Sequence, residues 1–158
     1  MLDIATPAGR LTLADEAAAA ELFTGHQPRF RYVETPKDKP ALVDALLLRG
    51  DELFAVVETK CRNESSESFF QKFGGRWLVT LEKVLEARKT AVALQLPLVG
   101  FLYLNKDKTL LVQKIAEPDG KFVASMVIKT TETQATCNGG TAIRTNAYID
   151  MTKAKVYR

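Results

Sequence analysis

Two acidic residues and a lysine lie in apolar segments of the chain, where charged side chains are costly to bury. Asp44 is the single charged residue of the segment ALVDALLL, and Glu58 follows two valines and precedes Thr59 and Lys60. A carboxylate buried without a partner carries a large desolvation penalty. A divalent cation would neutralise both acids, and the lysine would orient a water molecule or help to deprotonate it. These charged residues therefore predict metal-assisted activation of water.

The composition leaves few ligands for other catalytic chemistry. The chain contains one histidine, His26, and two cysteines, Cys61 and Cys137. Zinc sites built from clusters of cysteine and histidine therefore lack ligands, and a histidine-centred nucleophile triad has one candidate base. Any hydrolytic or metal chemistry is expected to rely on carboxylates and lysine.

Length and composition predict one soluble globular domain, because 158 residues with 46% hydrophobic content can bury one core. Two cysteines far apart in the chain, with no apolar leader after Met1, favour a reducing cytoplasm over a secreted disulfide scaffold. The longest apolar stretch, 90–104, is interrupted by Gln95, Pro97 and Gly100 and is shorter than the roughly 20 residues of a membrane span. We therefore expect a cytoplasmic protein without a membrane partner.

Charge is distributed unevenly along the chain, whose net charge is +3. Residues 1–59 carry −4, residues 60–89 carry +3 and residues 121–158 carry +4. An acid-rich front segment joined to basic segments suits metal-binding carboxylates beside a phosphate-binding surface. An ordinary mixed surface is the alternative explanation of the same distribution.

Local patterns predict an α/β fold that would position these residues. Thr12 can cap the first helix, and apolar residues at spacings near four indicate a second helical pattern from Ser66, with its main helix after Gly74-Gly75. Asn138-Gly139-Gly140 predicts a turn. The predicted elements are helix 11–23, strands 28–34, 41–48 and 53–62, helix 76–94, strand 97–104, a hairpin over 109–115 and 121–128, and strands 142–149 and 154–157.

The hairpin that carries both acids makes a specific prediction about its turn. If Asp44 lies directly opposite Glu58, the same register pairs Arg49 with Leu53 and leaves Gly50-Asp51-Glu52 as a three-residue turn. A two-residue turn would shift the register by one residue and place the acids on opposite faces. We therefore expect the three-residue turn.

Asp44, followed after thirteen residues by Glu58-Thr59-Lys60 in a hairpin between two helices, resembles the PD-(D/E)XK nuclease superfamily. The resemblance covers residues 12–104 and includes the order helix, three strands, helix, strand. One departure is Val43, which stands where the motif has proline. The resemblance implies a restriction-endonuclease-like αβββαβ core with a mixed central sheet flanked by helices, followed here by a β-rich C-terminal extension.

The resemblance also implies Mg²⁺-dependent hydrolysis of DNA phosphodiesters, with Mn²⁺ expected to substitute. Asp44, Glu58 and the backbone carbonyl of Thr59 would bind the metal. Lys60 would position the attacking water and stabilise developing charge. The alternative is an ion pair of Glu58 with Lys60 or Arg62, with Asp44 exposed at a sheet edge.

In this superfamily an acidic residue of the first helix often completes the metal site. Glu16 is the first candidate, because Glu16 with Ala19 and Phe23 matches a pattern of acid, small and apolar residues. Glu21 is the second candidate, and the residues leave the choice open.

Basic residues near the motif predict the DNA-binding surface. Arg62 continues the strand of the motif, Lys72 and Arg76 flank the Gly74-Gly75 break, and Lys83 lies further along the second helix. At a helix start beyond this break, Arg76 and free N–H groups would bind phosphate. For Lys83 the alternative is a solvated helix face on which it pairs with glutamates of the same helix.

Together these observations predict a single-domain, metal-dependent DNA nuclease, with a core over about 12–115 and an extension over about 116–158. An endonuclease is favoured over a processive exonuclease, since no motor or clamp module is evident. A homodimer would allow cleavage of both strands of a duplex. The alternative function is a catalytically silent DNA-binding or regulatory protein with the same fold, which the presence of all three motif residues disfavours.

Overall fold

A six-stranded mixed sheet organises the fold. The computed structural model describes residues 6–39, 41–133 and 142–158. The expected α/β class is confirmed, with a mixed central sheet and three helices in the described part of the chain. In chain order the elements are α1 (Pro7–His26), β1 (Phe30–Glu34), β2 (Ala45–Arg49), β3 (Glu52–Arg62), α2 (Ser66–Lys72), β4 (Arg76–Thr80), α3 (Leu81–Ala93), β5 (Leu98–Leu104), β6 (Thr109–Ala116), β7 (Met126–Thr133), β8 (Ala142–Asp150) and β9 (Lys155–Tyr157).

Strand β3 occupies an interior position in this sheet, whose order is β1-β2-β3-β5-β6-β9. It pairs antiparallel with β2 and parallel with β5. Parallel pairing requires a crossover connection, which α2, β4 and α3 supply. All seven residues of β5 are buried, as expected for a strand covered on both faces. The strand that carries the sequence motif is therefore held between two neighbours.

The two faces of the six-stranded sheet are covered by different elements, because side chains alternate along each strand. On one face, Val57 packs with Ala19 and Phe23 of α1. On the other face, Val56 packs with Trp77 of β4 and with α3. The second face is also covered by the three-stranded sheet of order β4-β8-β7. Successive residues of β3 therefore face different parts of the protein.

Helix α1 begins earlier than the sequence prediction of a cap at Thr12. The Thr6 hydroxyl accepts a hydrogen bond of 3.0 Å from the N–H of Gly9, and Pro7 occupies the first turn. Both features stabilise a helix start, so the helix extends one further turn. Although α1 contains 20 residues, no helix within the described ranges is both long and apolar enough to cross a membrane.

The predicted helix at 76–94 is wrong over its first five residues, which form strand β4. Gly74 and Gly75 adopt φ angles of 61° and 70° and turn the chain after α2. Burial then alternates, with Trp77 and Val79 inward and Leu78 exposed. Strand β4 pairs with β8, which lies about seventy residues later. The spacing of apolar residues near four along this segment carries no information about a pairing with a distant strand. The helix begins only at Leu81.

The predicted hairpin over 109–115 and 121–128 is also wrong. Strand β6 pairs with β5 and β9, whereas β7 pairs with β8 in the second sheet. One isolated bridge joins Ala116, just after the first predicted strand, to Phe122 of the second. The predicted extension therefore contributes strands to both sheets. The predicted turn at Asn138-Gly139-Gly140 and the thiol of Cys137 lie outside the described residues.

Candidate active site

The hairpin turn differs from the prediction, yet the register near the acids agrees with it. Arg49 pairs with Glu52 across the two-residue turn Gly50-Asp51, so the predicted three-residue turn is wrong. A bulge between Leu47 and Leu48 then shifts the register, and Ala45 pairs with Val57. An extra residue in one strand restores the face that a two-residue turn would have reversed. The two-residue turn and the bulge together therefore produce the register that places Asp44 and Glu58 on one face, as a shared site requires.

Asp44 lies immediately before β2 and is fixed by its backbone and its side chain. Its N–H donates to the carbonyl of Val57 at 3.2 Å, and its Oδ2 accepts the N–H of Thr59 at 2.8 Å. Its carbonyl accepts the N–H and hydroxyl of Thr35 at 3.0 and 2.9 Å. The carbonyl also accepts Nζ of Lys37 at 3.2 Å. The carboxylate is thereby held against the strand that carries Glu58.

The carbonyl of Thr59 faces the same edge of β3 as the Asp44 carboxylate. In a strand, the N–H and C=O of one residue point to one edge. The Thr59 N–H points to Asp44, and β2 begins only at Ala45, opposite Val57, so its pairing with β3 stops short of Thr59. The expected backbone ligand therefore lies beside the first acid.

Glu58 is a buried carboxylate that accepts no hydrogen bond within the described part of the chain. Its exposed fraction is 1%, and neither carboxylate oxygen accepts a hydrogen bond from any described residue. Nζ of Lys83 lies 3.4 Å from Oε1 as an ion pair. Burial, and next the negative charge of Asp44, raise the pKa of Glu58 to about 7 against the opposing effect of Lys83 and Lys60. A second positive charge at this carboxylate would offset its burial.

The ion pair of Glu58 forms with Lys83 of α3, so the alternative pairing with Lys60 or Arg62 is wrong. The contact also shows that Lys83 is directed toward the site and not toward glutamates of its own helix. Lys60 follows Glu58 by two residues on the same face of β3 and is half-buried. Within the described ranges, the side chain of Lys60 makes no hydrogen bond or ion pair, while its backbone pairs with β5. Its ammonium group is therefore available to a ligand.

A cleft of about 820 Å³ opens beside these residues. Its charged lining consists of six basic and four acidic residues, an excess of positive charge. Glu58 reaches this cleft through Lys83, which contributes to the wall. The charged lining residues are Lys37, Lys39, Lys60, Arg62, Lys83 and Arg144, and Glu16, Asp44, Glu82 and Glu86.

The predicted DNA-binding residues do not all reach the cleft. Arg62 and Lys83 line it, and Arg62 Nη2 donates to the carbonyl of Leu78 at 3.0 Å, which joins the two sheets. Lys72 ends α2 and Arg76 begins β4, and both are exposed away from the lining. The predicted phosphate site at a helix start near Arg76 is wrong, because a strand begins there.

Glu16 is the acid of α1 that the structure brings to the cleft, whereas Glu21 is exposed elsewhere on α1. Glu16 is buried, and its Oε1 accepts the hydroxyl of Tyr32 at 2.8 Å and Nζ of Lys37 at 3.1 Å. The Tyr32 hydroxyl also lies 2.8 Å from Oγ1 of Thr59. Burial raises the pKa of Glu16, although both of its hydrogen-bond partners lower it.

Sequence reasoning did not identify Tyr32 and Lys37 as site residues. Tyr32 lies in a weakly alternating strand, and Lys37 lies in the charged loop TPKDKP, so neither had a local signal. Their contacts span 16 and 21 residues of the chain to Glu16. The tertiary fold alone brings them to this carboxylate.

The donor set at Asp44 and Glu58 fits a hard divalent cation. Two carboxylates and a backbone carbonyl are oxygen ligands of the kind that Mg²⁺ prefers, and Mg²⁺ retains several waters. This fit is supported by the buried Glu58 oxygens, which accept no hydrogen bond from the residues that the structure describes. No group of three or more histidine, cysteine, aspartate or glutamate side chains in the described part of the chain is arranged to hold a metal ion.

Comparisons with protein-family models, curated proteins and solved structures found no match to this chain.

Proposed function

We propose that the protein is a Mg²⁺-dependent deoxyribonuclease that hydrolyses phosphodiester bonds by attack of water. One observation carries the proposal. Asp44 and the buried carboxylate of Glu58, which accepts no hydrogen bond from the described residues, lie together at the start of β2, with Lys60 beside them on β3. A buried acid pair beside a lysine is costly for stability alone, so a functional role explains its presence.

The order of elements supports the proposal. Helix α1 is followed by three antiparallel strands, a crossover that contains α3, and β5 parallel to β3. This order and the mixed sheet agree with the restriction-endonuclease-like core that the motif resembles. Both acids and the lysine belong to the β2–β3 hairpin or its immediate approach.

Asp44, Glu58 and the Thr59 carbonyl would hold Mg²⁺, and Mn²⁺ is expected to substitute. When bound, the cation supplies charge stabilisation at the phosphate and lowers the pKa of water. Hydrolysis joins the water oxygen to phosphorus and breaks the bond from phosphorus to one ester oxygen, while negative charge is spread over the phosphoryl oxygens. The attacking water loses one proton, and the released ester oxygen gains one. Lys60 orients the attacking water and stabilises this charge.

The shape and charge of the cleft support DNA as the substrate. A second concavity of about 650 Å³ continues along α3 and β8 and shares Thr80, Glu82, Glu86 and Arg144 with the cleft. An elongated groove with excess positive charge fits an extended polyanion. Lys60, Arg62 and Lys83 are expected to contact phosphates next to the cleaved bond.

Cleavage assays on circular plasmid, linear duplex and branched DNA test the proposal, each with Mg²⁺, Mn²⁺ or EDTA. We expect wild-type protein to cleave with either cation and not with EDTA. Nicked or linear plasmid identifies an endonuclease, and shortening of linear duplex alone identifies an exonuclease. Asp44→Asn and Lys60→Ala should each lower the rate at least about a hundredfold, as loss of a charge-stabilising group does.

Lys89→Ala is the matched control, because Lys89 is exposed on α3 and does not line the cleft. This variant should cleave at the wild-type rate. Wild-type protein that binds DNA equally with cation or EDTA and cleaves none of the three substrates would contradict the nuclease proposal. That result would favour the catalytically silent DNA-binding protein instead.

A further inference from the structure

We propose that the cleft binds a single divalent cation at Asp44 and Glu58, and that Lys37 takes the place of a second cation at Glu16. This inference rests on the cation site of the proposed function and specifies its stoichiometry. Glu16 is then a positioning residue that holds Lys37, and it does not bind the metal.

The carboxylate of Glu16 already has its counter-charge. Its Oε1 accepts both the Tyr32 hydroxyl at 2.8 Å and the Lys37 ammonium group at 3.1 Å. The side chains of Glu16 and Lys37 are 9% and 21% exposed, so this ion pair is largely withdrawn from water. Glu58 differs, because its ion pair with Lys83 is longer at 3.4 Å, Lys83 is 41% exposed, and its oxygens accept no hydrogen bond from the described residues. Glu16 is therefore the better compensated of the two carboxylates.

The two glutamates also approach β3 from opposite sides. Tyr32 joins Glu16 to Oγ1 of Thr59, on the face of β3 that packs against α1. Glu58 precedes Thr59 and contacts Lys83 of α3 on the other face. Because neighbouring side chains of a strand point to opposite faces, β3 itself separates the two carboxylates.

The ammonium group of Lys37 occupies the space that a second cation would need. It lies 3.1 Å from Oε1 of Glu16 and 3.2 Å from the carbonyl of Asp44. The Lys37 ammonium group thereby bridges the Glu16 carboxylate oxygen and the Asp44 carbonyl oxygen. A metal ion at that position would meet a like charge at short range.

The same contacts of Lys37 and Glu16 also fix the position of the Asp44 backbone. Thr35 and Lys37 together donate three hydrogen bonds to the Asp44 carbonyl, and Glu16 fixes the far end of Lys37. The loop before β2 is therefore pinned to α1. This arrangement orients Asp44 toward Thr59 without any need for Glu16 to touch the metal.

Binding of Mn²⁺, counted by electron paramagnetic resonance and by titration calorimetry, tests the inference without any assay of cleavage. Wild-type protein should bind one Mn²⁺. Glu58→Gln should weaken that binding at least tenfold, whereas the isosteric Glu16→Gln should leave the affinity within threefold. Lys37→Ala should gain a second, weaker Mn²⁺. Lys39→Ala is the matched control, since Lys39 lines the same cleft, and it should bind one.

Two bound Mn²⁺ in wild-type protein would overturn the inference and leave the nuclease proposal intact. A tenfold loss of affinity in Glu16→Gln would also overturn it, even if Lys37→Ala does not fold. Wild-type protein that binds no Mn²⁺ would overturn the inference together with the cation site of the proposed function. Circular dichroism of each variant verifies that the fold is retained.

Discussion

The Asp44 carboxylate accepts the backbone N–H of Thr59 at 2.8 Å, which ties the residue before β2 to the strand that carries Glu58 and Lys60. The bond is charge-assisted, because a carboxylate oxygen accepts from a main-chain donor. It places Asp44 close enough to raise the pKa of Glu58. Backbone geometry therefore brings two acids together in a part of the molecule that is mostly buried.

Glu58→Gln is expected to stabilise the protein at high pH. The pKa of Glu58 is raised from 4.5 to about 7 in the folded state. The folded protein therefore holds this proton more strongly than the unfolded chain, and stability falls as pH rises between these two values. At pH 8 without divalent cations, the variant should have a free energy of unfolding about 2 kcal/mol higher than wild type.

Urea denaturation at pH 8 and at pH 5, both in EDTA, measures this difference. The gain should be smaller at pH 5, where Glu58 of the wild type is protonated in the folded state. Asp51→Asn, an acid-to-amide change in the exposed hairpin turn, is the control and should have little effect at either pH. A Glu58→Gln variant less stable than wild type at pH 8 would contradict the prediction.

Stabilisation by Mg²⁺ should increase with pH, whereas the stability of the cation-free wild-type protein falls. Cation binding requires the deprotonated carboxylate, so below about pH 7 the proton competes for Glu58. We expect Mg²⁺ to raise the midpoint of thermal unfolding more at pH 8 than at pH 5.5, and to have no effect on Asp44→Asn. Thermal unfolding in a Mg²⁺ titration at each pH measures this. An equal rise at both pH values would argue against Glu58 as a ligand.

Tyr32→Phe should destabilise the protein by about 1–2 kcal/mol, the range for loss of a hydrogen bond to a charged or partly buried group. The variant removes the hydroxyl that bridges Glu16 and Thr59. Tyr148→Phe is the control, because Tyr148 has a ring contact with Lys129 that the substitution retains. Chemical denaturation compares the two variants, and equal free energies of unfolding would mean that the bridge contributes nothing to stability.

Gly100→Ala should destabilise the protein by about 1–3 kcal/mol, the usual cost of overpacking. A Cβ at Gly100 would lie 2.6 Å from Cζ3 of Trp77 and 2.9 Å from Cδ1 of Ile115, both fully buried. Gly25→Ala is the control, since nothing lies within 4 Å of its added Cβ and it occupies the helix α1. Gly25→Ala should be neutral or slightly stabilising in thermal unfolding. A neutral Gly100→Ala would show that Trp77 can move away from the sheet.

The hairpin shows how a correct register can follow from a wrong turn. The register that places Asp44 and Glu58 on the same face of the hairpin was predictable, because burial of apolar residues on both faces restricts strand register. The bulge, in which Phe54 of β3 is the extra residue opposite Leu47 and Leu48, was not predictable. A two-residue turn plus one extra residue yields the same register as a three-residue turn. The apolar pattern of the sequence therefore restricts the strand register, but it does not specify the turn length or the bulge that produces this register.

The α/β class, the hairpin with its acids and lysine, and the central strand β5 could be predicted from the amino-acid sequence. Each of these depends on contacts between neighbours in the chain or on the alternation of apolar residues. Three other features depend on the folded arrangement: Arg76 begins a strand, Lys83 pairs with Glu58, and Lys37 and Tyr32 hold Glu16. Such contacts join segments far apart in the chain, where local periodicity carries no information about the partner.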